Sequence, residues 1–311
     1  MWRQGAEDSW NANRQMRELA RQARRIQTAN WNSKILGDLR VLAENLSDNA
    51  IYANMTGDSS NAIEITRDML RISQLILQSP KGVVPMLVAN GIESLAAYQL
   101  QCISCNVTLA DDPRNNKALQ IQGAHILISQ LLVQPNPRAE FIDALAHTTP
   151  PQGVDLDWYR RLLNTGHRSN TELSFAAMSL ACRVFKFENH RWPISLDELV
   201  PIYLPHTIID PWGDGKQTLG YVLIKRGLPD GSDRPLLYSR CESSKGLAFP
   251  SDRFEIGFDG WSVRNETGQF RDVLLWGQDP NYDSHTQVLD MGPKFLPLPP
   301  DPAPTVKSHS N

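Results

Sequence analysis

Apolar residues return at three- and four-residue steps through most of the first 130 positions. In "SKILGDLRVLAENLSDNAIYANM", Ile35, Leu39, Leu42, Leu46 and Ala50 fall on one stripe, the spacing of an amphipathic helix. In "TGDSSNAIEITRDMLRISQLILQ", Gly57 stops that helix, Asp58 or Ser59 can cap the next, and Ile65, Met69, Ile72 and Ile76 form its apolar face. "SPKG" breaks the chain before a helix carrying Leu87, Ile92, Leu95 and Leu100, and "ADDPRNN" breaks it before one running from Leu119 to Val133. Residues 31–133 are therefore expected to be nearly all helix, packed as antiparallel neighbours across short breaks. Strand is expected only after Gly213.

The pattern then changes. Residues 135–170 hold two proline clusters around a short helical stretch, with a second from Asp155 to Leu163, and read as a domain boundary. In "NTELSFAAMSLACRVFKFENH", Leu173, Ala177, Leu180, Val184 and Phe187 share one helical face, widened by Met178, Ala181 and Phe185. Only a narrow polar stripe of Glu172, Ser179, Arg183 and Lys186 remains, so this helix must be covered over most of its circumference. Ser195 and Glu198 have the spacing of a capping box, with Ile194 and Leu199 at the staple positions. They predict a short helix that Pro201 limits. Asp210-Pro211-Trp212-Gly213 fits a type I turn. "LGYVLIK" and "RPLLYSR" read as two strands joined by "RGLPDGSD". The expected architecture is α+β: a helical or flexible segment at 1–30, a helical hairpin bundle at 31–165, a long helix packed on a small antiparallel sheet at 166–292, and a proline-rich tail at 293–311 expected to be disordered or extended.

Composition narrows the setting more than the fold. The 311 residues suffice for two domains, and 41% hydrophobic with 21% charged residues suits ordinary cores. A net charge of −3 gives no electrostatic reason for a nucleic-acid partner. The basic stretch Arg14–Arg25 is interleaved with apolar residues and reads as a solvated helix face. No run approaches the roughly 18 apolar residues of a membrane span. The start, "MWRQGAEDSWNANRQ", lacks a signal peptide's apolar region and cleavage site. The chain as it stands is expected to be soluble, with membrane association only through a helix preceding Met1.

From residue 170 to about 240, and on to "DVLLW" at 272–276, the order of motifs carries a resemblance. A helix, "ENHRWP", "SLDELVP", "YLP", "DPWG", "GY" and "LYS" follow one another as in the globular part of the type II secretion major pseudopilin. The arrangement is also similar to planctomycete-type bacterial envelope proteins that attach such a module to a helical region. Trp192-Pro193 stands where the family usually has Tyr-Pro, and Leu237-Tyr238-Ser239 matches its later strand. The resemblance implies a cell-envelope or periplasm-like compartment and a protein partner. Two departures matter. The family's helix continues from an apolar membrane-inserted segment, whereas here "DLDWYRRLLNTGHRSN" is polar, so polymerisation as a pseudopilus subunit is not expected. The family's calcium loop is replaced by "RCESSKGLAFPSD", where Glu242 and Asp252 are the only acids. Calcium takes about six to eight oxygens, so no retained site is expected.

Recognised chemistry is sparse. No phosphate loop, nucleophile elbow, zinc-protease motif or dinucleotide fingerprint occurs, and Gly213–Lys216 ("GDGK") lacks a phosphate loop's spacing. Cys102 and Cys105 form a C-x-x-C within a helical pattern, without a second ligand pair, and read as buried thiols; Cys182 and Cys241 read as core or near-core residues. His190 and His206 flank the turn region as isolated imidazoles, and Asp197 beside Glu198 is accounted for by capping. Trp212, Trp261 and Trp276 read as packing of a small core, with partner anchoring as the alternative. No catalytic, cofactor-binding or metal-ligating residue is assigned. The expectation is a non-catalytic cell-envelope interaction or scaffold protein; the alternative is an enzyme with a dispersed active site.

Overall fold

A computed structural model describes residues 33–77, 83–132, 156–210, 218–226 and 233–239, together with Arg14 and the strand residues 254–257, 260–264, 270–273 and 287–290. Helices α1 (Ser33–Met55), α2 (Ser59–Leu77) and α3 (Val83–Asn106) come first. Strands β1 (Leu109–Ala110) and β2 (Leu119–Gln120), helix α4 (Ile121–Leu132) and the long helix α5 (Leu156–Asn189) follow. A 3-10 turn at Leu196–Leu199 leads to β3 (Gly220–Ile224) and β4 (Arg234–Ser239). Strands β5 (Phe254–Gly257), β6 (Gly260–Arg264), β7 (Phe270–Val273) and β8 (Gln287–Asp290) complete a mixed α+β chain.

The α1–α2 corner forms as its residues dictate. Gly57 takes φ 79°, a left-handed conformation glycine enters without steric cost. Asp58 Oδ1 accepts the Asn61 N–H at 3.1 Å and caps α2. Ser59 does something else: its Oγ accepts the Thr108 N–H at 3.0 Å, tying this corner to the segment that enters β1. On α1 the fully covered stripe is Leu36, Ala43, Leu46, Ala50 and Ala53, so Ile35 is exposed and Leu39 and Leu42 are half-buried. On α2, Ile65, Met69, Ile72 and Ile76 are all buried.

Strand is present before Gly213, contrary to the sequence expectation. β1 and β2 pair in parallel, Leu109 opposite Leu119 and Ala110 opposite Gln120. The cause is local. Asp112 accepts the Arg114 N–H on its side chain and the Asn115 N–H on its carbonyl, both at 3.0 Å, and folds "DDPRNN" into a compact turn. Ser60 N–H, at the start of α2, donates to Lys117 O at 2.9 Å and holds the return limb. The two extended flanks are thus brought side by side.

Helix α5 has 34 residues, about 50 Å at 1.5 Å per residue, and runs through position 165/166 without a break. It packs against α3, α4, β4 and the 3-10 turn. Its small polar residues are part of this packing. Ser169 Oγ donates to Glu93 at 3.2 Å, Gln101 Nε2 to Glu172 O at 2.8 Å, and the Ser104 and Ser179 hydroxyls meet at 2.7 Å. Arg183 Nη2 donates to Cys105 O. These pairs climb both helices in the same direction, so α3 and α5 are parallel neighbours. One apolar cluster joins Leu46, Met69 and Leu100 to Leu173, Leu180 and Leu237.

The strands "GYVLI" and "RPLLYS" pair antiparallel as β3 and β4, with β8 on the far side of β4. Strands β5, β6 and β7 make a second antiparallel sheet. The capping expectation at Ser195 is overturned. Its side chain makes no cap hydrogen bond, and the element is a four-residue 3-10 turn. Glu198 does not close a box either: its carboxylate accepts from the Arg191 guanidinium at 2.8 Å. The Pro211–Gly213 part of the turn, Cys241, Glu242, Asp252, the first 13 residues and the tail lie outside the described residues, as do the side chains of Trp212, Trp261 and Trp276.

Candidate functional site

Where α5 ends, a cleft of about 720 Å³ opens between the helix and the segment entering and leaving β1. One wall is Val107, Leu109 and Asp111, on and beside the two-residue strand β1. The other is Arg183, Lys186, Phe187 and His190, an i, i+3, i+4, i+7 stripe of α5 and its cap, with Glu188 beside it.

The end of α5 is fixed by several contacts. His190 has φ 56°, and its N–H donates to Lys186 O at 2.9 Å, closing the helix with a left-handed residue. Asn189 Nδ2 donates to Phe185 O and to the Tyr203 hydroxyl, both at 3.0 Å. Tyr203 donates onward to Glu188 Oε2 at 2.6 Å. Burial first, and then this bond to Glu188, push the Tyr203 hydroxyl above its ordinary value. Its ring meets Phe185 edge-on at 5.4 Å and stacks on His125 of α4 at 6.0 Å. The tyrosine of "YLP" therefore holds the last turn of α5 against α4.

Trp192 lies over the cationic stripe, with Lys186 Nζ 4.3 Å and Arg183 Cζ 4.9 Å from its ring centre. Arg183 is largely buried; desolvation lowers its affinity for the proton, partly offset by Cys105 and Cys182. The neighbouring Cys182 thiol is pushed up to about 12 by burial. It is a packed thiol with little thiolate character at neutral pH.

The residues singled out in the sequence are dispersed. Cys102, Cys105 and Cys182 are buried thiols outside any disulfide, and Cys105 Sγ donates to Gln101 O at 3.2 Å. His190 lines the cleft, whereas His206 is exposed and does not. Asp197 is exposed, and Glu198 pairs with Arg191. Among the described residues, no group of three or more His, Cys, Asp or Glu is placed to hold a metal ion, and no helix is long and apolar enough to cross a membrane. The chain matches no protein-family model, no curated protein and no solved structure.

Sequence reasoning treated Arg183 and Lys186 as a polar stripe, Phe187 as core and "ADDPRNN" as a mere break. Residues 107–111, "VTLAD", carry no apolar–polar alternation that would have marked this wall. The cleft joins residues 183–190 to residues more than seventy positions earlier, a proximity that no local pattern encodes.

Proposed function

We propose that the chain is a non-catalytic interaction or scaffold protein of a bacterial cell envelope, with residues 166–292 forming a pseudopilin-like module. The observation that carries this reading is the continuity of α5. One helix packs against α3, α4 and β4, so the bundle and the β3–β4 hairpin share a core. Such a joint transmits position rather than supplying reactive groups. It suits a protein that holds two partners at a fixed spacing. The motif order from Trp192 to Ser239 supports the envelope setting by analogy of sequence pattern, and fold likeness alone does not dictate function.

Fractionation of the cells that make the protein, followed by in-cell cross-linking, tests the reading. The full chain is expected in the envelope fraction, linked to at least one defined protein neighbour. Recovery only from the cytosol, with no cross-linked neighbour, would overturn it.

A further inference from the structure

We draw no further inference here: the strongest candidate, the cleft between the end of α5 and residues 107–111, is lined by Arg183, Lys186 and His190 as well as Asp111 and Glu188, so its charge selects no class of ligand, and nothing in the structure shows what covers it.

Discussion

The Ser239 hydroxyl contacts both carboxylate oxygens of Asp210, at 2.8 and 3.0 Å, and both residues are buried. This contact joins the start of "DPWG" to the end of "LYS", two motifs 29 positions apart, and ties Asp210 to β4. Ser239→Ala withdraws a donor from a buried carboxylate, which costs roughly 1–3 kcal/mol. A fall of that size in unfolding free energy by urea titration is expected, and an unchanged midpoint would show that the contact is dispensable.

The Ser104–Ser179 pair gives a sharper test of the α3–α5 seam. Each hydroxyl also contacts a carbonyl three residues earlier in its own helix, Gln101 O at 2.8 Å and Ala176 O at 3.0 Å. The pair acts as a unit, so the two alanine variants should not add. A coupling of at least about 0.5 kcal/mol is expected in a double-mutant cycle. Strict additivity would mean that the 2.7 Å contact contributes nothing of its own.

At Ser195 the structure reverses what the sequence implies. A capping box predicts a loss of about 0.5–2 kcal/mol for Ser195→Ala. The hydroxyl makes no cap bond, so the change should stay within about ±0.5 kcal/mol. A larger loss on chemical denaturation would restore the cap.

These outcomes show what local pattern encodes. The helices of the first 130 residues were legible because each carries its own apolar period, as the buried Ile65, Met69, Ile72 and Ile76 illustrate. The β3–β4 hairpin was legible for the same reason, from two apolar runs and a turn between them. Glu198 was not, because a capping box and an ion pair with Arg191 require the same carboxylate and only tertiary placement decides between them. Phe187 has the helical phase of the buried face, yet it lies where α5 runs out and is left partly exposed. The cleft depends on two such chain ends meeting, so neither wall announces it alone.

Alkaline pH should destabilise the fold from about pH 9 upward. Burial raises Cys182 from 9.0 and Tyr98 from 10.0, each to about 12, and raises Tyr203 and Tyr221 above their ordinary values. A raised folded-state value means that the folded chain keeps its proton after the unfolded chain has released it. The stabilisation is full below the unfolded value and is lost as pH rises through the folded one, with a slope near 1.4 kcal/mol per pH unit for each such group. Cys182 titrates first in the unfolded chain, so Cys182→Ala should flatten the decline between pH 9 and 10. An identical slope in that variant would assign the decline to other groups.

His190 supplies the last test. It sits at the residue after the last turn of α5 with φ 56°, a position where glycine is the usual occupant because a β-carbon crowds the left-handed conformation. His190→Gly relieves that crowding at the expense of a more flexible unfolded chain, and the two effects leave a net gain of up to about 1 kcal/mol. The imidazole meanwhile lines the cleft opposite the Val107–Asp111 wall. The variant should therefore melt no lower than the parent. A clear drop in melting temperature would mean that the imidazole holds the end of the helix by contacts of its own.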